Sequence, residues 1–445
     1  MNNSAPMEKP LSLKNAVRSK FAPQILVSSM WIAAGTIGSG VLSYVFISFV
    51  THKYSVAEVG TYSVNLATTQ LLGTIAVLGL DQGIVKFLAT SRRLSRPANR
   101  LIIRSSALAL ALCALFALGI IIAQYSVSMF LLLPYMFGAA LLRILSALAR
   151  LHQDALTATF MMIGEQVARI VLFCGFVMIG IQTYLPELST SVAILLTPLF
   201  YYLGRRKQTE VADTGIIPEF GVLFRFSQPL FWAVVTGYVL ERLPVLLSNS
   251  VWSKYETGIV SIAFRIVLLL AVVPVSINYI TGPKFIQLRA SGEHGESEAF
   301  FRSSLLMTCV VSIIAGSLLW ILSSIALKFF GNQYVTGTRL LHLLVVSQVL
   351  NSCFYSVYAV ISVSDTPRLN FISGTVSIVV FIGVTMALSN SLGFESVGVG
   401  LCASSMVVGV INWFVSSKVV GFRIPAWVLA AYLSLGILGV IWELV

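Results

Sequence analysis

The sequence "EVGTYSVNLATTQLLGTIAVLGLDQGIVKF" at residues 58–87 recurs in diverged form as "ETGIVSIAFRIVLLLAVVPVSINYITGPKF" at residues 256–285. Both segments lie in one gapless self-match at an offset of 198 residues, with 11 identities over the 49 positions from 58 to 106. Some matched Leu and Val residues are expected by chance in so apolar a chain. The match also pairs charged residues, which chance explains less well: Glu58 with Glu256, Lys86 with Lys284, and Arg104 with Arg302. The chain is therefore predicted to contain an internal duplication.

The composition indicates that lipid is the solvent. Of the 445 residues, 57% are hydrophobic and 10% are charged, and the mean hydropathy is +0.90. An ordinary water-soluble domain has roughly 25% charged residues. Apolar runs recur between short polar breaks, and each has about the 20 residues that an α-helix needs to cross roughly 30 Å of hydrocarbon. The sequence therefore predicts an all-α polytopic membrane protein.

Long apolar runs, separated by charged or Pro/Gly-containing breaks, predict about 13 transmembrane helices, within a range of about 12 to 14. Their predicted bounds are 22–50, 56–80, 101–124, 128–150, 155–181, 184–204, 222–250, 256–281, 301–326, 338–362, 369–390, 396–417 and 424–443.

The duplication predicts the arrangement of these helices in two six-helix lobes. Because six is an even number, both lobes enter the membrane from the same side, which makes them a parallel repeat about an axis along the membrane normal. Beyond the first match, an offset of 211 places Asp154 opposite Asp365 and Phe160 opposite Phe371. The predicted domains are a cytosolic tail (1–21), an N-lobe (22–204), a cytoplasmic linker (205–221), a C-lobe (222–418) and an additional C-terminal helix (419–445).

The basic residues predict the orientation of the chain. A cytoplasmic N-terminus places 21 of the 29 Lys and Arg residues on the cytoplasmic side, as the positive-inside rule requires. Contact with anionic lipids of the inner leaflet then accounts for much of the formal net charge of +12. No nucleic-acid partner is needed to explain that charge.

Arginines within the predicted spans are the main candidates for substrate binding, because a charge in the hydrocarbon is costly and usually faces a cavity or a partner. A guanidinium keeps its charge and can pair bidentately with phosphate. If the arginines within the spans face one cavity, they form a cationic site for a phosphate-bearing or otherwise acidic substrate. The four arginines are Arg143, Arg169, Arg242 and Arg265.

The alternative is that each arginine merely neutralises a carboxylate. Glu165 and Arg169 are four residues apart on one helix face, which favours an internal ion pair. Glu241 and Arg242 are adjacent, so we expect them to point in different directions and not to pair as simply. Arg143 and Arg265 have no acidic residue three or four positions away, which favours a role in the cavity for these two.

Glu165 and Glu241 are also candidates for coupling to an ion gradient, since a desolvated carboxylate can titrate near neutral pH. The sequence leaves open whether protons or sodium ions would drive the cycle. We find no motif for catalysis, for a metal or for an organic cofactor, and we expect a protein that is not an enzyme.

Charged residues at the predicted cytoplasmic ends of the lobes are candidates for a gate or for contacts between the lobes. The loop after the first repeat segment is basic and the loop after the second is acidic, so we expect the two loops to attract each other when the gate closes. The candidates are Asp81, Lys86, Lys284, Arg92, Arg93, Glu293 and Glu296.

The stretch "FVTHKYSVAEVGTYSVNLATTQLLGTIAVLGLDQGIVKFLA" at 49–89 resembles the polysaccharide or O-antigen flippases of the Wzx type, in the multidrug/oligosaccharidyl-lipid/polysaccharide exporter (MOP) superfamily. A Gly-Tyr pair opens the second helix, and "LGLDQGIVKF" followed by basic residues closes it. The two-lobed repeat and the charged linker extend the resemblance over about residues 22–418.

This resemblance implies an alternating-access flippase in the bacterial cytoplasmic (inner) membrane. Its substrate would be an undecaprenyl-diphosphate-linked oligosaccharide for O-antigen, capsule or exopolysaccharide, and its partners would include a polysaccharide polymerase and chain-length proteins. Two alternatives stay open: a cation-coupled multidrug exporter of the same superfamily, and a non-transporting membrane scaffold for glycan assembly.

Overall fold

The computed structural model describes residues 22–88, 96–123, 125–151, 154–204, 219–272, 274, 275, 277, 288, 294–357, 368–416 and 424–444. Every regular element within these residues is helical. Eight helical segments are long and apolar enough to cross a membrane, judged by length and composition. The prediction of an all-α polytopic membrane protein is confirmed.

Within the described residues, nine α-helices form the first half of the bundle. They are α1 (Ala22–Lys53), α2 (Val56–Ala76), α3 (Leu80–Leu88), α4 (Arg96–Ile122), α5 (Val127–Leu131), α6 (Leu133–Leu151), α7 (Ala155–Met178), α8 (Leu185–Leu195) and α9 (Thr197–Gly204).

Eight more α-helices follow in the described residues of the second half. They are α10 (Phe220–Val251), α11 (Lys254–Leu268), α12 (His294–Ile321), α13 (Ser323–Lys328), α14 (Thr338–Cys353), α15 (Arg368–Leu392), α16 (Ser396–Val415) and α17 (Ala426–Leu444). Short 3₁₀ helices span Leu269–Ala271, Asn332–Gly337 and Gly393–Glu395.

Each predicted span coincides, within the described residues, with one long helix or with two shorter elements in series. The predicted tail and nearly all of the predicted linker lie outside the described residues, so these two assignments stay predictions.

Several predicted spans are interrupted in the structure, three of them at a proline or at left-handed backbone. The span 56–80 breaks after Ala76, where Leu78 and Gly79 adopt left-handed backbone conformations. The spans 128–150 and 184–204 break just before Pro134 and Pro198, which lie at the second position of α6 and α9. Proline is tolerated in the first turn of a helix but disrupts a helix interior, which explains why the chain starts a new helix at each of these points.

The repeated glutamates are helix caps. Ser55 and Glu58 form a capping box at the start of α2, in which the Ser55 amide donates to a Glu58 carboxylate oxygen at 2.8 Å. Ser253 and Glu256 form the same box at the start of α11, with a 2.9 Å bond from the Ser253 amide. Reciprocal capping satisfies backbone groups that the first helical turn leaves unpaired. Glu58 and Glu256 therefore preserve equivalent helix starts in the two halves.

The glycines that match in the self-comparison meet where α2 crosses α11. A Cβ atom on Gly60 would lie 2.9 Å from the Gly258 amide nitrogen and closer still to the Lys254 carbonyl oxygen. A Cβ atom on Gly258 would overlap the Val56 carbonyl oxygen. Equivalent residues of a twofold repeat are expected to meet at its axis, and here both must be glycine for the two backbones to touch.

The end of the bundle at which α2 and α11 begin is called the joined end, because one apolar core there contains side chains of both halves. Tyr62 and Leu66 of α2 pack there with Ile262 and Ile266 of α11. The opposite end has two separate cores. One is built mainly from α3, α4 and α6, with the end of α2 and Leu223 of α10, and the other from α12, α14, α16 and α17. Helix α10 lies against both α2 and α3 of the first half and α15 of the second.

Replacing Gly60 or Gly258 by alanine should destabilise the joined end, because each methyl group would meet backbone atoms that cannot move aside. We expect a lower Tm for either variant in detergent, by an amount corresponding to about 1–3 kcal/mol. Gly119→Ala is the matched control, since a Cβ atom at Gly119 meets nothing within 4 Å. Equal Tm values for all three variants would contradict the close crossing.

Candidate functional site

The four arginines lie on four different helices that pack in the interior of the bundle. Arg143 is on α6, Arg169 on α7, Arg242 on α10 and Arg265 on α11. Three of these four guanidinium groups contact a carboxylate.

Arg169 forms a buried ion pair with Glu165 on the same helix. A Glu165 carboxylate oxygen accepts a hydrogen bond from an Arg169 Nη atom, and both side chains are less than a tenth exposed. The Arg169 guanidinium also lies over the ring of Phe46, 5.4 Å from its centre. The i,i+4 spacing anticipated this pair, which neutralises both charges within the membrane.

Arg143 pairs with Asp81, a residue that the sequence analysis assigned to the gate or to a lobe contact. The Arg143 Nη2 and Asp81 Oδ2 atoms are 3.5 Å apart, and Asp81 is buried in the first turn of α3. The Arg143 guanidinium lies 4.7 Å from the ring centre of Tyr238 on α10. This side chain therefore links the core of the first half to the first helix of the second half.

Arg242 and Glu241 form an ion pair, with 3.2 Å between the Arg242 Nη2 and Glu241 Oε1 atoms. The expectation that these neighbours would not pair simply was wrong. Two long side chains can bend towards each other although their Cβ atoms diverge. Both are partly exposed, and such a pair contributes little to stability.

Arg265 is the arginine of the four without a carboxylate within 4 Å among the residues that the structure describes. Its backbone carbonyl oxygen accepts a hydrogen bond from the Tyr44 hydroxyl group. Its guanidinium lies within electrostatic range of Arg169 and Arg242, and of the phenol group of Tyr62. A cation held near two others can bind an anion without first breaking an ion pair.

Tyrosines complete this polar cluster, and the sequence analysis did not identify them. The Tyr62 hydroxyl group is 2.8 Å from Thr190 Oγ1, and Gln70 Nε2 donates to the Tyr135 hydroxyl group at 2.8 Å. Both tyrosines are buried. The chain has 15 tyrosines, so residue type alone gave no signal of this position.

The four arginines, with Asp81, Glu165 and Glu241, carry a net charge of only about +1. The four-arginine ladder expected from the sequence is thus largely neutralised. Glu165 and Glu241, the candidates for ion coupling, are both held by arginines. The assignment of these residues to substrate binding or ion coupling stays a prediction.

Most of the predicted gate residues lie outside the part of the chain that the structure describes. These are Arg92, Arg93, Lys284 and Glu293. For Lys86 only the position in α3 is described, and Glu296 is exposed in the first turn of α12. The attraction between the two loops therefore stays a prediction.

The additional C-terminal helix is held to the second half by a polar cluster at the joined end. His342 Nδ1 lies 2.9 Å from a carboxylate oxygen of Glu443 on α17, and His342 Nε2 lies 2.7 Å from Ser323 Oγ. The ring of Trp320 stacks on His342 at 4.4 Å. Ser323 is 2% exposed, so this Ser–His–Glu arrangement anchors a helix and leaves no access for a substrate.

Comparison with known proteins places the fold. No protein-family model and no curated protein sequence matches the chain. The inward-facing conformation of a multidrug resistance MATE family transporter of the MOP superfamily superposes with a TM-score of 0.69 at 16% identity, covering 93% of this chain and 99% of that one. The outward-facing conformation of a multidrug resistance MATE family transporter superposes with a TM-score of 0.67 at 15% identity, covering 96% of this chain and 100% of that one. The eukaryotic MATE transporter AtDTX14 superposes with a TM-score of 0.62 at 15% identity, covering 89% of this chain and 95% of that one.

The chain thus has the fold of the MATE transporters over nearly its whole length. This agrees with the resemblance to the MOP superfamily that the sequence indicated. The likeness does not single out the Wzx-type flippases within that superfamily.

Removing the charge of Glu165 should destabilise the protein far more than removing that of Glu241. Glu165→Gln leaves Arg169 buried and uncompensated, which typically costs about 3–5 kcal/mol. Glu241→Gln breaks a partly exposed pair worth about 1 kcal/mol or less. Thermal unfolding of the two purified variants measures this difference, and similar losses of Tm would contradict the contrast in burial.

Proposed function

We propose that this protein is an alternating-access membrane transporter that exports amphipathic compounds. The observation that carries the proposal is the similarity of the whole fold to both the inward-facing and the outward-facing MATE conformation. A chain that matches both states over more than nine-tenths of its length has the architecture required to alternate between them.

The two ends of the bundle support the same proposal. The halves share one core at the joined end and have separate cores at the opposite end. The distribution of Lys and Arg predicts a cytoplasmic N-terminus, which would put the joined end on the outer side of the membrane. In that orientation the structure corresponds to a state closed to the outside, in which substrate is loaded from the cytoplasmic side.

Multidrug export is the first candidate for the transported substrate. Two of the structural relatives are described as multidrug resistance transporters, which supports this reading better than the flippase reading. The near-neutral charge of the arginine cluster also fits uncharged or weakly charged amphipathic compounds.

Transport of an undecaprenyl-diphosphate-linked oligosaccharide is the second candidate, and Arg265 is the observation that favours it. An unpaired guanidinium near Arg169 and Arg242 suits a diphosphate headgroup. If this candidate is correct, we also expect the polymerase and chain-length partners and the location in the bacterial inner membrane that the resemblance implied. A non-transporting scaffold would not need charged residues at several depths of the bilayer.

Reconstituted proteoliposomes can separate these candidates. A multidrug exporter should accumulate a fluorescent lipophilic drug and leave a labelled diphosphate-linked lipid in its original leaflet. A flippase should move the labelled diphosphate-linked lipid to the other leaflet and should not accumulate the fluorescent drug. Failure to move either substrate, under a proton or a sodium gradient, would favour the scaffold.

Arg265→Ala should selectively impair transport of substrates that carry an anionic group, because it removes the guanidinium that no carboxylate neutralises. We expect at least a tenfold loss for an anionic substrate, equivalent to about 1.4 kcal/mol, and partial recovery in Arg265→Lys. Transport should be measured at matched protein levels. Arg302→Ala is a suitable control, since Arg302 pairs with Glu298 in a partly exposed position. Unchanged transport of anions by Arg265→Ala would remove the role of Arg265.

A further inference from the structure

Glu187 is a buried carboxylate that neither the sequence analysis nor the arginine cluster uses. It lies in the first turn of α8 and is 5% exposed. The Ser128 hydroxyl group donates to its Oε1 atom at 2.5 Å, and Ser128 Oγ in turn accepts from Asn65 Nδ2 at 3.0 Å. Among the residues that the structure describes, no basic side chain lies within 4 Å of the Glu187 carboxylate.

Other buried acids in the first half are compensated by arginine. Asp81 pairs with Arg143, and Glu165 pairs with Arg169. The guanidinium of Arg169 is thus already bound, although α7 packs against α8. Glu187 differs from these acids because its described partners, the Ser128 hydroxyl group and its own backbone amide, are both neutral.

The second half offers an internal comparison. There, Glu395 immediately precedes α16, which is the counterpart of α8, and it pairs with Arg339 at 3.4 Å. Arg339 follows Ser128 by 211 residues, the offset that relates this part of the two halves. The two acids are not themselves equivalent, since at this offset Glu187 aligns with Gly398 and Glu395 with Tyr184. The arginine that compensates the acid of the second half is nevertheless a serine in the first.

A carboxylate buried inside a protein is costly when it is ionised, and hydrogen bonds from the Ser128 hydroxyl group and from its own backbone amide offset only part of that cost. Among the described residues, Glu58 of α2 is a further charged group in electrostatic range, and it has the same sign as Glu187. The nearby Tyr54, Tyr62 and Asn65 side chains are neutral and cannot balance the charge.

We propose that Glu187 is the proton-binding group of the first half. Its carboxylate takes up one proton from water at the joined end and becomes a neutral carboxyl group, with the Ser128 hydroxyl group still donating to it. Its use in driving export rests on the proposed transport function, but proton binding itself does not.

Thermal unfolding as a function of pH tests proton binding without any transport assay. Wild type and Glu187→Gln are compared in detergent from about pH 5 to about pH 9. The glutamine variant imitates the protonated group, so its Tm relative to wild type should rise with pH by about 2 °C or more, as the wild type acquires a buried charge. Glu298→Gln, which alters a partly exposed acid paired with Arg302, is the control and should show no such rise.

Ser128→Ala provides a second variant that keeps the titrating group. As pH rises, the Tm of Ser128→Ala should fall more than that of wild type, because the ionised carboxylate then lacks the hydrogen bond from Ser128. Parallel pH profiles for wild type, Glu187→Gln and Ser128→Ala would overturn the proposal. Sodium chloride is then compared with choline chloride at equal concentration. Stabilisation by sodium of wild type but not of Glu187→Gln would assign the site to sodium and overturn the assignment to a proton.

The transport experiment separates this proposal from the proposed function. A pH-dependent Tm difference at Glu187, without transport of any substrate, would retain the proton site and reject the exporter. Transport that is driven by a proton gradient, with equal rates in wild type and Glu187→Gln, would retain the exporter and exclude Glu187 from its coupling.

Discussion

The contact between Gly60 and Gly258 is the constraint on which the arrangement of the two halves depends. With no side chain at either position, α2 and α11 approach until backbone touches backbone, and the apolar residues around them merge into one core. The polar cluster follows from this crossing. Tyr62 comes two residues after Gly60, and Arg265 comes two helical turns after Gly258, so both lie just beneath the joined end. A larger residue at the crossing would separate these helices and the groups that they carry.

Charge compensation is the second organising feature of the interior. Glu165 and Arg169 pair within one helix, and Glu241 and Arg242 are neighbours in sequence. Asp81 and Arg143 pair between two separate helices. Ionised groups are expensive in hydrocarbon, so an acid or a base left without a partner of opposite charge is informative. Arg265 and Glu187 are such groups, of opposite sign, and the first is a candidate for binding an anionic substrate and the second for binding a proton.

Several features of the fold could be predicted from residue patterns alone. Apolar runs located the helices, because in lipid the backbone must satisfy its hydrogen bonds within each segment. The predictions missed the breaks at Ala76, Leu132 and Leu196, where proline or left-handed backbone interrupts an apolar run without altering its hydropathy. The i,i+4 rule identified the pair of Glu165 and Arg169. It could not identify the pair of Asp81 and Arg143, whose members are 62 residues apart.

The sequence by itself determined that the protein is a helical membrane protein with an internal duplication, because hydropathy and repeated residues are properties of the chain read in order. Only the tertiary structure decided what the repeated residues do. Glu58 and Glu256 cap helices, while Gly60 and Gly258 meet at the crossing. The tertiary structure also decided which charged side chains lack a partner of opposite charge. Such pairing depends on distances between helices, and packing sets those distances. Thus Arg143, which has no acid three or four positions away in sequence, is bound to Asp81, and Glu187 emerges as a buried acid whose described partners are all neutral.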